Sequence, residues 1–241
     1  MINKEQSNLE KNPMFWNEEE KPEEFTAPDN IIDLSFKVNC KQIKLDHAWA
    51  LTEALSELLP WFKDDTHSAI HHIYIPQSGN GWVRTDDFAQ EVIQLSRRTR
   101  LKIRIPSNRL EDAQSLTGKT ISIDGHKLTF GQYDQHSLST MTTIVSRHVH
   151  VPGTDDDENA FLQEVNQQIQ AMDIKVRKML CGKSHQLKTA EGIITTRSLM
   201  VADISPEESI RLQENGIGHY YSYGCGVFIP QKGITAVNTN E

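Results

Sequence analysis

The sequence Gly216-Ile217-Gly218-His219-Tyr220-Tyr221-Ser222-Tyr223-Gly224-Cys225-Gly226 decides how the rest of this 241-residue chain is read. Two Gly-apolar-Gly pairs bracket five residues, three of them tyrosines. Glycine at four such positions predicts backbone with positive φ, or backbone pressed against something that leaves no room for a Cβ. A run of exposed peptide N–H groups in such a loop is a seat for phosphate oxygens. Val227-Phe228-Ile229-Pro230, apolar and β-branched, predicts a final strand after it. No Lys-Ser/Thr and no helical pattern follow Gly226, so the spacing is neither a dinucleotide fingerprint nor a P-loop. A glycine-rich hairpin beside a strand accounts for the same residues.

Upstream of the loop, Ser205-Pro206-Glu207-Glu208 opens a short helix with a cap and a proline in its first turn. Gly192–Ala202 and Lys175–Cys181 read as strands. Asp157–Met172 reads as a helix with Phe161, Leu162, Val165 and Ile169 inward, and Thr142–Val151 as the strand before it. The order is strand–helix–strand–strand–helix–strand. The same order appears earlier. Ile31–Cys40 alternates at Ile32, Leu34, Phe36 and Val38. Asp46 stands as the N-cap of a helix carrying Ala48, Leu51, Leu55, Leu58 and Leu59, which ends at Pro60. Ser68–Pro76 is a strand, Gly79-Asn80-Gly81 a turn, and Phe88–Leu95 a short helix or strand entry. Ser96–Pro106 is a strand, Leu110–Leu116 a short helix, and Thr120–Phe130 a hairpin turning at Asp124-Gly125. The expected class is α+β, with two tandem ferredoxin-like (βαββαβ) domains over 31–138 and 139–241.

Composition excludes other classes. Hydrophobic residues make up 37% and charged residues 24%. No apolar run reaches a membrane span, and the N-terminus lacks the order of a signal peptide, so a cytoplasmic protein is expected. Cys40, Cys181 and Cys225 are far apart, which argues for free thiols over a disulfide framework or zinc site. The net charge of −8 is concentrated in residues 1–30, where eight acids face three lysines. That leader is expected to be disordered, with Phe15-Trp16 and Phe25 as its apolar points. Basic residues cluster in the body. Arg97, Arg98, Arg100, Lys102, Arg104 and Arg109 occur between Gln94 and Arg109 without an acid. On a strand, Arg98, Arg100, Lys102 and Arg104 share one face, and like charges so placed repel unless a polyanion neutralises them. A second acid-free run holds Lys175, Arg177, Lys178, Lys183 and Lys188.

The pattern G-h-G-x5-G-h-G (h apolar) before a last strand resembles the glycine-rich loop of the CRISPR-associated repeat-processing endoribonucleases, within the repeat-associated RNA-binding protein superfamily. The match holds at all four glycines and both apolar positions. The resemblance spans about Ile31–Lys232. It implies two ferredoxin-like domains and binding of the hairpin of a CRISPR repeat. It also implies a cut at the 3′ base of the stem by 2′-hydroxyl attack, with no metal or other cofactor required. Arg97, Arg98, Arg100, Lys102 and Arg104, with Gly216, Gly218, Tyr223, Gly224 and Gly226, would contact RNA. Other subunits of a CRISPR effector complex are implied as partners. A non-catalytic crRNA-binding subunit of the same superfamily is the alternative, and a nucleotide enzyme using the loop for phosphate is a third.

Such a cut needs a base, a cation for the phosphorane and an acid for the 5′-oxygen, and histidine serves either proton role near neutral pH. Ten histidines offer several candidates. The resemblance implies His47, at the first turn of the first helix, as the catalytic one. Lys44 is a candidate cation, and His72, of the His71-His72 pair, is the alternative base. His148-x-His150 places two imidazoles on one face of a strand, without a third metal ligand nearby.

Overall fold

Alternating apolar residues make Ile31–Asn39 a strand, β1, in which Ile32, Leu34 and Phe36 are fully buried. The computed structural model describes residues 25–74 and 92–231. After β1 the chain forms β2 (Gln42–Lys44), α1 (Ala48–Leu58), β3 (Ala69–Ile70) and β4 (Val92–Gln94). It continues through β5 (Arg100–Pro106), α2 (Leu110–Gln114), β6 (Thr120–Ile123) and β7 (His126–Ser137). Five of these strands make an antiparallel sheet ordered β3-β5-β1-β7-β6, and β2 pairs with β4 in a separate ribbon. The turn between β6 and β7 falls at Asp124 and Gly125, both at positive φ. One face of the sheet is covered by α1 and α2, burying Leu51, Leu55 and Ala113 with Leu34, Phe36, Leu101, Ile103 and Ile105.

The second half repeats the theme: β8 (Ile144–Val149), α3 (Glu158–Ala171), β9 (Lys178–Thr189), β10 (Gly192–Ala202), α4 (Pro206–Asn215) and β11 (Ile229–Pro230). Its sheet is ordered β11-β8-β10-β9. Asp157 caps α3 by accepting from the amides of Asn159 and Ala160, and Phe161, Val165 and Ile169 turn inward from it. Ser205 and Glu208 form a reciprocal capping box on α4, with Pro206 at its start. A separate core gathers Ile144, Val149, Leu199, Val201, Leu212 and Phe228 around α3. Among the described residues no helix is long and apolar enough to cross a membrane.

Several expectations need correction. Asp46 does not cap α1: His47 occupies that position, and Asp46 instead accepts from the amide of Lys188 in the other half, at 2.7 Å. Of the expected Ser68–Pro76 strand, residues 75 and 76 lie outside the described residues, and within 68–74 only Ala69–Ile70 forms a strand, while the ribbon β2–β4 carried too few residues to show a period. The strand expected to start at Ser96 starts at Arg100, because Ser96–Thr99 is a turn closed by Thr99 N–H on the Ser96 carbonyl (3.0 Å). Arg97 and Arg98 therefore lie in a turn, off the strand face. The expected turn at Gly79–Gly81, residues 88–91 and Phe15-Trp16 lie outside the described residues. Phe25, at the end of the acidic leader, packs with Ala27 against Ile31, Leu138 and Ile210.

The largest correction concerns Arg104. Its neighbours on β5 enter the core, so its own side chain points off the opposite face and would reach solvent in a lone sheet. Here that face meets the second half, and Arg104 is 1% exposed. Its Nε and Nη2 form a fork on Asp33, its partner across β1, at 2.8 and 3.1 Å. Nη1 donates to the carbonyls of Gln213 (2.8 Å) and Phe228 (3.2 Å) in the other half. With four of its five N–H groups so committed and the side chain buried, Arg104 is out of reach of a phosphate. Removing one partner of a buried ion pair strands the other charge, so Arg104→Ala is expected to cost about 3–5 kcal/mol in urea-unfolding measurements.

Candidate active site and nucleic-acid interface

All four glycines of the 216–226 loop have positive φ: 64° at Gly216, 79° at Gly218, 83° at Gly224 and 73° at Gly226. They are also crowded. A Cβ on Gly226 would collide with the carbonyl of Ile217, and one on Gly218 with the carbonyl of His150. A Cβ on Gly224 would sit 2.6 Å from the His72 ring. The phosphate-seat expectation fails here, because the glycine amides are used inside the fold. Gly216 N–H donates to Leu212 O, Gly224 to Tyr221 O and Gly226 to His148 O. Gly218 N–H donates to Oε1 of Gln168. The loop is a buried joint between the halves rather than an open anion cradle.

Its middle residues clasp α1. Thr52 donates to the Ser222 carbonyl (3.2 Å), and the Tyr223 hydroxyl donates to Glu53 (3.0 Å). The Tyr223 ring stacks flat on Trp49, with centroids 4.4 Å apart. Burial, followed by the Glu53 carboxylate, pushes the Tyr223 phenol well above its ordinary range.

Between α1, the segment after β3, and β8 lies a run of imidazoles. His47 and His72 are 6.0 Å apart between centroids, His72 stacks on His148 at 4.4 Å, and His148 meets His185 at 5.4 Å. His47 is 1% exposed. Its Nδ1–H is shared by the carbonyls of Leu45 (2.9 Å) and Lys44 (3.0 Å), and its Nε2 accepts from Ile73 N–H (3.1 Å). Both nitrogens are thus engaged in holding the start of α1 to the segment after β3. His72 donates Nε2–H to the Tyr223 carbonyl (3.1 Å). Burial pushes the pKa values of His47 and His72 down; burial, then the neighbouring His185 and Arg147, push His148 down to about 3. Lys44, the candidate cation, pairs with Asp124 at 3.5 Å. The metal-like pair His148-x-His150 diverges: His148 Nδ1 meets Thr196 Oγ1 and His150 Nδ1 meets Thr195 O. Among the described residues no group of three or more His, Cys, Asp or Glu is disposed to hold a metal ion.

Arg100 and Lys102 keep the position the alternation gave them, on the sheet face away from α1 and α2, without an ion-pair partner among the described residues. Sequence reading missed Lys37, which lies directly across β1 from Arg100 on that face. Its signal was the parity of β1: Asp33, Ser35 and Lys37 share the face opposite Leu34 and Phe36.

A family model described as Cas6, Cas6 Crispr, matches residues 32–233. The chain belongs to the Cas6 family. Among its relatives, a protein named CRISPR-associated endonuclease Cas6 from Myxococcus xanthus (strain DK1622) is 25% identical over 200 residues, covering 83% of this chain and 81% of the relative. A solved structure titled CRISPR associated protein Cas6 superposes with a TM-score of 0.56 at 11% identity, covering 84% of this chain and 99% of the other. A Cas6-related protein from Pyrococcus furiosus gives 0.53 at 14% identity, covering 82% and 97%. These likenesses show the fold of Cas6 proteins in a mixed chain of two larger antiparallel sheets, a two-stranded ribbon and few helices.

In this Cas6 chain the four glycines and His47, His72, His148 and Tyr223 meet at one joint, whereas Arg97, Arg98, Arg100 and Lys102 lie on or near the first sheet, and Arg104 is withdrawn. Because the folded state holds His47, His72 and His148 neutral, the unfolded chain binds more protons below about pH 6.5. Stability is full above that pH and falls as pH drops towards the folded-state values. The melting temperature is therefore expected to fall steadily between pH 7.5 and 5, read by circular dichroism, with a shallower slope in His72→Phe.

Proposed function

We propose that this Cas6-family chain is a metal-independent endoribonuclease that binds the hairpin of a CRISPR repeat in precursor transcripts. It cuts at the 3′ base of the stem, by attack of a 2′-hydroxyl on the adjacent phosphorus, and releases mature crRNA. The carrying observation is a pair of like charges, Lys37 opposite Arg100, on the part of this sheet face that the second half leaves open, continued by Lys102 on the same strand. Like charges facing one another across strands are unfavourable by themselves and become favourable against a polyanion. Arg97 and Arg98, exposed in the turn before β5, extend this surface. Family membership and the Myxococcus relative, named an endonuclease, support the reaction. The glycine loop contributes by holding the halves together, with Tyr223 and Trp49 as its aromatic surface.

The strand orders support two tandem ferredoxin-like units. In the first, β1, β3, β5 and β7 with α1 and α2 follow βαββαβ, with β6 as an added edge. In the second, β11-β8-β10-β9 with α3 and α4 does the same without additions. We place the units at 31–138 and 139–241. A second reading, a crRNA-binding subunit that does not cut, is favoured by one observation: neither ring nitrogen of His47 is open to a substrate.

Incubation with repeat hairpin RNA in EDTA separates the two. Cleavage that persists in the chelator, with a 2′,3′-cyclic phosphate on the upstream product, is expected; binding without cleavage would give the second reading. Binding should weaken with salt, and charge reversal at Lys37 and Arg100 together is expected to flatten the log K against log[salt] slope by about two contacts.

A further inference from the structure

The acidic leader has no part in the reaction, yet its sequence complements the basic sheet face. Residues 18–24 hold Glu18, Glu19, Glu20, Glu23 and Glu24 against a single cation, Lys21. Phe25, which follows them, is half-buried with Ala27 in the cluster of Ile31, Leu138 and Ile210. Side chains alternate along β1, so Ile31 shares its face with Asp33, Ser35 and Lys37. The leader is therefore pinned at one end of the sheet face whose other end carries Lys37, Arg100 and Lys102. Lys37 and Lys102 are exposed there, and Arg100 is half-buried. An acid on this face, Asp134, lies across β1 from the two β5 cations, about 10 Å away at two strand spacings. Ile31 and Lys37 are about 20 Å apart along the strand. The chain from Phe25 back to Glu18 reaches about 23–25 Å when extended. Because α4 meets Arg104 part-way along this face, the path skirts it, and Glu10 and Glu5 stand further up the leader for a longer route.

We propose that the glutamates of residues 18–24 seat on Lys37, Arg100 and Lys102 of the same chain and compete there with RNA phosphates, which rests on the RNA-binding reading of this face. Each exposed ion pair is weak alone. The Phe25 anchor offsets this by holding the glutamates near the face at an effective concentration of about millimolar. Three cations crowded on two neighbouring strands gain from any polyanion laid across them. The leader then acts as a built-in competitor. An unstructured strand, which offers the protein few contacts besides phosphate, meets the full competition. The repeat hairpin makes further contacts elsewhere and displaces the leader. Discrimination arises from a penalty laid on the wrong ligand.

The test uses the full chain, its repeat hairpin, and a single strand of uridines as the unstructured probe. Zero-length carbodiimide coupling, which joins a carboxyl to a lysine amine only in contact, is expected to link residues 18–24 to Lys37 and Lys102 within one copy. Repeat RNA is expected to suppress those links. With Glu18→Gln, Glu19→Gln, Glu20→Gln, Glu23→Gln and Glu24→Gln combined, the uridine strand is expected to bind about three- to tenfold tighter, and the hairpin about twofold or less. The gain should shrink as salt rises. The same five substitutions in a chain already carrying Lys37→Ser, Arg100→Ser and Lys102→Ser should change RNA affinity by less than about twofold. Absent links, links spread over other lysines, links between copies, or a leader effect that survives loss of the three cations would overturn the proposal. RNA affinity unchanged by the three serine substitutions, with the links intact, would instead overturn the RNA-binding reading of this face and, with it, the competition.

Discussion

The buried ion pair of Arg104 and Asp33 is the constraint on which the arrangement of the two halves depends. Asp33 sits near the start of β1, beside His71 at 3.3 Å. Burial alone would raise its carboxyl. Arg104 and His71 more than reverse this and hold it well below the usual carboxylate range. The guanidinium then has two donors committed to the carboxylate and a third on two carbonyls of the other half. On a lone sheet the pair would face water and gain little, since exposed ion pairs contribute at most about 1 kcal/mol. With the second half in place, the pair sets where α4 and the strand after the glycine loop must lie.

The other cross-contacts read as consequences of that placement. With Gln213 held by Arg104, the next residue, Glu214, presents its carbonyl to His67 at 3.0 Å. The loop beyond then brings Ser222 to Thr52 and Tyr223 to Trp49 and Glu53. Imidazoles from both halves come within stacking distance beside loop backbone that carries no side chain. Gly224 packs against the His72 ring, and Gly226 against the stretch of β8 that carries His148.

Much of this was legible in the sequence. Alternation located β1, β5, β8 and β10; helical period located α1 and α3, and capping located α4; the Asp124-Gly125 turn located the β6–β7 hairpin. These signals are local, so they survive without knowledge of the partner surface. The positive φ of the loop glycines was equally local. The fate of Arg104 was not, since alternation assigns a face without saying whether that face meets water or protein. Lys37 was hidden for a similar reason, because its importance comes from its register against Arg100. The surroundings of the histidines were hidden too, since His47 accepts from Ile73 N–H and His148 bonds to Thr196, partners distant from those rings in sequence.

The glycine amides close inward on Leu212, Gln168, Tyr221 and His148, so what the four glycines secure is the seam between the halves. A descendant that had lost every proton-transferring group would still need them to keep its two sheets together. The signature therefore certifies an architecture rather than a reaction.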